Sequence, residues 1–187
     1  MNKVILIISA LIGFSSFGQE TIIENDTIIL WSKTRNLTWE DFKSKIKSSE
    51  KQNGIYTGAV TASGPVFIYR TDKNGIDVPY PLTYFFKSKS WTISNDSLLL
   101  FHEQLHFDIA EVYTRKLRKM YNQLIETESY ESSKFSELSE KISNECAERQ
   151  KEFDNNPAYN REKQLEWRMI IDKELEQLAE FEYTPLQ

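Results

Sequence analysis

The first half of the chain is patterned in short apolar runs, and the second half carries apolar residues at helical spacing. Thr27-Ile28-Ile29-Leu30-Trp31 is a β-prone run that reads as a first strand. Leu37-Thr38-Trp39-Glu40-Asp41-Phe42 follows, with Thr38 and Asp41 spaced as a capping pair at the start of a short helix and Trp39 and Phe42 as core anchors. Residues 43–53 are charged and polar, the pattern of a solvated loop or frayed helix end. Residues 55–62 and 66–69 then flank Ser63-Gly64-Pro65, Asp72-Lys73-Asn74-Gly75 supplies another turn, and 82–86 and 91–93 complete a meander of antiparallel strands. Pro79 and Pro81 lack a backbone donor, which places their neighbourhood at a sheet edge. Such an edge can hold an extended peptide as an added strand.

From Leu98 to Asn156 there is neither Gly nor Pro. Asn95, Asp96 and Ser97 offer N-cap side chains, and Phe101, Leu105, Ile109, Val112, Tyr113, Leu117, Met120 and Leu124 fall on one broad helical face. Phe135, Leu138, Ile142, Cys146 and Phe153 mark a second helix capped by Ser132 or Ser133, which residues 153–160 break. Trp167, Ile171, Leu175 and Leu178 mark a third over about 161–181. Strands first and helices second predicts an α+β fold, a small N-terminal antiparallel sheet against three helices.

The first of these helices contains His102-Glu103-Gln104-Leu105-His106, and these are the only two histidines of the chain. Residues four apart on a helix lie about one turn apart on one face, so both imidazoles can reach one metal ion. Both fall within the apolar face, where an unpaired polar group costs on the order of 1–3 kcal/mol, and a shared metal satisfies both. Zinc is the expected cofactor. Glu103 stands beside the pair as the general base of a metallopeptidase.

Composition narrows the setting. Met1-Asn2-Lys3, the apolar run from Val4 to Phe14, and small residues Ser16 and Gly18 read as a secretory signal at 1–18, cleaved near Gly18 and followed by one domain, 19–187. A secreted or periplasmic protein is the expectation. The net charge is −5, and removing Lys3 with the signal makes the chain more acidic, which argues against nucleic acid or an anionic membrane as partner. The lone Cys146 cannot form an internal disulfide and reads as a small core residue, with intermolecular pairing open to it.

Catalytic zinc takes three protein ligands and leaves a position for water. With no third histidine, the ligand must be a carboxylate or a tyrosine. Asp108 and Glu111 project away from the histidine face and read as ion-pair partners, Glu111 with Arg115. On the second helix Glu145 lies at the margin of the apolar stripe, whereas Glu148 points outward.

The segments Leu37-Thr38-Trp39-Glu40-Asp41-Phe42-Lys43, 56–63, 85–91 and 98–118, with its His-Glu-Gln-Leu-His-Phe-Asp-Ile-Ala-Glu core, resemble a domain-of-unknown-function family of bacterial secreted zinc-dependent proteases. The resemblance covers most of the chain after residue 18. It implies a zincin-like domain hydrolysing peptide or protein substrates, and an aromatic-Asp-x-x-Thr-x-His segment whose histidine is the third ligand. Here that segment is Phe153-Asp154-Asn155-Asn156-Pro157-Ala158-Tyr159, so Tyr159 stands at the histidine position. The expected metal set is therefore His102, His106 and Glu145, with Tyr159 and Asp154 as alternatives. Tyr159 and Tyr113 are the phenols available to stabilise a transition state. If no third ligand is supplied, the alternative is a binding module that holds metal or peptide without turnover.

Overall fold

The computed structural model describes residues 21–45, 58–156 and 159–184. The expected signal at 1–18, most of the polar stretch 43–53, the first part of the 55–62 strand and Pro157 lie outside them. In chain order the elements are β1 (Ile28–Leu30), a 3-10 turn (Trp39–Asp41), β2 (Ala59–Val60), β3 (Ser63–Thr71), β4 (Asp77–Phe86), β5 (Trp91–Thr92), α1 (Ser97–Glu126), α2 (Ser132–Asp154), α3 (Arg161–Gln177) and a closing 3-10 turn (Ala179–Phe181). The fold is α+β. Its strands form a three-stranded antiparallel sheet ordered β1-β4-β3 and a separate pair, β2-β5.

The meander differs from the expected one at Ser63-Gly64-Pro65, which lies inside β3 rather than at a turn. Phe86 N–H donates to the Ala62 carbonyl at 2.8 Å, so the even positions of β3 face β4 and the odd ones face outward. Pro65 is odd, and its missing N–H therefore removes no ladder bond. The β3–β4 hairpin closes where Asp72 Oδ1 accepts from the amides of Asn74 and Ile76, both at 2.9 Å, with Gly75 at φ +79°. That backbone conformation favours glycine.

β4 is the middle strand of its sheet, but β1 pairs only with its end, Tyr84 to Phe86. At Pro79 and Pro81 its outer side meets no strand among the described residues. The Pro81 carbonyl turns that way and accepts from Arg118 Nε at 2.8 Å. The prolines thus sit on an edge within a strand that is central elsewhere.

Asp96 caps α1, its carboxylate accepting from the amides of Leu98 and Leu99 at 2.8 and 2.9 Å. α1 is buried on two opposite faces. Leu105, Ile109 and Val112 pack with Phe153 of α2 and Trp167 and Ile171 of α3. Phe107, on the other side, packs with Ile29, Trp31, Leu37, Phe42 and Phe85 of the sheet layer. α2 begins at Ser132, so both serines expected as its cap lie inside the helix, and Glu131 occupies the cap position without a side-chain cap. Asn160 caps α3 through Lys163 N–H at 3.1 Å. Among the described residues no helix is long and apolar enough to cross a membrane.

Candidate metal centre

α1 holds His102 and His106 one turn apart, and the last turn of α2 brings Asp154 against them. The two Nε2 atoms are 3.1 Å apart, and Asp154 Oδ1 lies 3.6 Å from His102 Nε2 and 3.2 Å from His106 Nε2. Among the described residues these three form a group able to hold a metal ion. The spacing fits zinc. Ligand atoms about 2.0–2.1 Å from a tetrahedral ion are separated by about 3.3–3.4 Å, and the three observed edges bracket that length. Two imidazoles and one carboxylate are also a donor set typical of catalytic zinc, which leaves one position for water.

The packing behind the donors fixes them. The Phe153 ring stacks on His102 at 4.3 Å between centroids and meets His106 edge-on at 4.9 Å. Phe153 is itself fully buried against Trp167. Gln150, one turn before Asp154 on α2, grips His106 twice. Its Nε2 donates to the His106 carbonyl at 2.9 Å, which leaves its Oε1 facing His106 Nδ1 at 2.5 Å. An amide oxygen only accepts, so Nδ1 carries the proton and Nε2 keeps its lone pair for a metal.

Burial holds the His102 imidazole below its ordinary pKa, in the neutral form a metal requires. At His106 burial acts in the same sense, but hydrogen bonding to Asp154, with the charge of Glu103 and the Gln150 contact, raises it overall. His102 Nδ1 and Glu103 Oε2 are buried and have no hydrogen-bond partner among the described residues. Glu103 is only 3% exposed, and its carbonyl accepts from Thr61 Oγ1 at 3.2 Å, which pins this turn of α1 to the chain leading into β3.

The structure therefore brings together His102, Glu103, His106 and Asp154. It does not bring Glu145, the carboxylate favoured from the helical wheel, which is exposed on α2. The two acids flank the apolar stripe of α2 on opposite sides, and the flank of Asp154 is the one that meets α1. Tyr159 is 60% exposed, and its hydroxyl lies 3.7 Å from the Cβ position of Gly58, beside Leu99, one turn before Glu103. Tyr113 is seven residues past His106, about 10 Å along the axis. It packs into the core near Cys146, with its phenol pushed up to about 12 by burial. It is a core residue rather than a transition-state donor.

The other face of α1 is also polar and buried, which the sequence pattern did not indicate. Glu111 is 1% exposed and accepts from Thr83 Oγ1, Arg115 Nε at 2.8 Å and Arg118 Nη1 at 3.1 Å. The Glu111–Arg115 pair, expected as an ordinary i, i+4 contact, is thus part of a buried hub. Asp108 accepts from Trp31 Nε1 at 2.8 Å, Gln104 Nε2 at 3.0 Å and Arg168. Gln150, the group that orients His106, carried no sequence signal beyond its spacing of four from Asp154.

No family model, curated protein or solved structure matches the chain.

Proposed function

We propose that the chain is a zinc-dependent peptidase in a zincin-like arrangement, with His102, His106 and Asp154 as the metal ligands and Glu103 as the general base. The observation that carries this reading is the triangle of donor atoms with 3.1, 3.2 and 3.6 Å edges, formed between α2 and the turn of α1 that also bears a buried carboxylate whose Oε2 has no hydrogen-bond partner among the described residues. Bound zinc supplies Lewis acidity, polarising a peptide carbonyl and making water nucleophilic near neutral pH. Glu103 receives the proton of the attacking water, whose oxygen bonds to the carbonyl carbon, and delivers it to the lone pair of the leaving nitrogen; the C–N bond then breaks with its electron pair departing on the amine. Gln150 keeps His106 in the tautomer that binds. Phe153 and Trp167 exclude water from the rear of the ligand shell.

Asp154 supports turnover over a binding-only module, because it supplies the third donor whose loss motivates that alternative. The expected setting remains export, from the signal-like segment at 1–18. The test is elemental analysis together with peptide hydrolysis. The purified protein should hold about one zinc per molecule. Glu103→Gln should keep the zinc while losing hydrolysis, and a protein with no zinc, or an equally active Glu103→Gln variant, overturns the proposal.

A further inference from the structure

α3 turns a side to solvent that its packing does not explain. At 100° per residue the buried Gln164, Trp167 and Ile171 define its inner face, and Met169 stands within about 15° of the opposite direction. Met169 is 67% exposed, and Leu165, one turn earlier on the same outer line, is 48% exposed. Polar side chains ordinarily fill the solvent line of a packed helix. A shallow hollow lined by Ser97, Leu98, Phe101, Arg161 and Leu165 continues this apolar strip onto the start of α1.

The charges around the strip complement a copy of themselves. Met169 is the middle residue of the 17 in α3. Arg161, Glu162, Lys173 and Glu176 are exposed and enter no ion pair among the described residues. Glu166 holds Lys163 at 2.7 Å, and Asp172 holds Arg168. A second α3 laid antiparallel across the strip, on a two-fold axis at Met169, sets each residue against the one equally far beyond the midpoint. Lys173 then lies over the partner's Leu165 with its ammonium beside the partner's Glu166, and Glu176 reaches the partner's Arg161. By symmetry each contact occurs twice. Glu162 also nears the partner's Glu176, but Arg161 and the partner's Lys173 flank that approach. A parallel pairing would instead set Glu166 against Glu166 and Lys173 against Lys173. The acidic members of this face, Glu162, Glu166 and Glu176, oppose an anionic bilayer as its cover.

We infer that the outer face of α3 is a self-association surface, joining two copies of the chain through antiparallel α3 helices centred on Met169. The flexible thioethers and the Leu165 side chains form the dry centre, and the flanking ion pairs set the direction. One helix per copy is a small contact, below the roughly 1,200 Å² of a standard interface, so the pairing is reversible and weakens with salt. The pairing does not depend on the peptidase reading. It braces the helix whose inner face carries Trp167, the residue behind Phe153.

The experiment is sedimentation velocity on the full chain between about 1 μM and about 1 mM, the range of weak specific affinities. The sedimentation coefficient should rise with concentration toward that of a dimer. Met169→Lys, which sets two ammonium groups at the two-fold axis, should leave a monomer with unchanged circular dichroism, since the position is exposed. Lys173→Glu and Glu166→Lys should each weaken self-association at least about tenfold by opposing like charges. An equimolar mixture of those two variants should associate about as tightly as wild type, because the mixed dimer pairs opposite charges at both positions. A chain still monomeric at about 1 mM, a dimer that survives Met169→Lys, or a mixture no tighter than its components would each overturn the pairing. A monomeric chain that floats with phosphatidylcholine vesicles, when Met169→Lys does not, overturns it too and gives the strip to a lipid surface.

Discussion

Gln150 holds His106 at both ends, accepting from the ring through Oε1 and donating to the backbone carbonyl through Nε2. The second bond decides the first, because it fixes which way the amide faces. Gln150→Leu should weaken zinc binding by about 10- to 100-fold, the usual cost of losing an outer-shell partner. Gln150→Glu should retain most of the affinity, since a carboxylate accepts the same Nδ1–H bond. Chelator competition reads both, and equal affinity in all three proteins would remove Gln150 from the site.

Asp154 and Glu145 make opposite predictions on one helix. Asp154→Ala should lower zinc affinity by at least about 100-fold, taking the upper end of outer-shell losses as a floor for a direct ligand. Glu145→Ala and Tyr159→Phe should change it less than about twofold, and a tenfold loss in either would mean the third ligand has been misassigned.

The buried Glu111 hub makes a stability prediction separate from catalysis. Glu111→Ala leaves Arg115 and Arg118 charged in positions 1% and 2% exposed, a loss of about 3–5 kcal/mol. Urea titration of the metal-free protein measures it. A loss under about 1 kcal/mol would show that water reaches the two guanidinium groups when the carboxylate leaves.

Acid should act first on the other side of the sheet. Hydrogen bonds from Arg35 and then Lys87 lower the Glu24 carboxyl to about 2. Burial pushes Asp41 upward, but Arg35, the Thr38 amide and Lys87 outweigh it and the net shift is downward. Groups lowered on folding contribute stability above their ordinary carboxylate range, and that contribution is lost as pH falls through the folded value. Thermal midpoints of wild type should therefore drop between about pH 4.5 and pH 2 more steeply than those of Arg35→Met. Parallel curves would exclude the cluster as the acid-sensitive element.

Cys146 should be nearly inert in the folded chain, because burial pushes its thiol up to about 12 and little thiolate exists at neutral pH. Alkylation by iodoacetamide should be slow in buffer and fast in urea. Comparable rates in both would place the thiol at the surface.

The parts of the site readable from sequence are those set within one helix. His102, Glu103 and His106 need only a 3.6-residue period to converge, and Asp96 announces where that helix starts. Asp154 required knowledge of docking. Measured from the line of Phe135 and Phe153, Asp154 and Glu145 lie about 100° and 80° to either side. No wheel distinguishes two such flanks until α1 is set against one of them. The buried charges of Glu111, Arg115 and Arg118 were illegible for a related reason, since a charged helix face looks solvated until β4 and the closing turn cover it. The prolines of β4 misled in part because one strand is an edge for half its length and central for the rest.

The ligand triangle also carries a temporal consequence. His102 and His106 are synthesised about 50 residues before Asp154, and Phe153, which backs them, needs Trp167 of α3 to be buried. A contact across that separation must await loop closure. A chain emerging from a ribosome therefore carries two histidines without the third member of the triangle. On the proposed reading, hydrolytic capacity would arise only when the C-terminal helices have docked, so a partly made or unfolded molecule would have no means of attacking its neighbours.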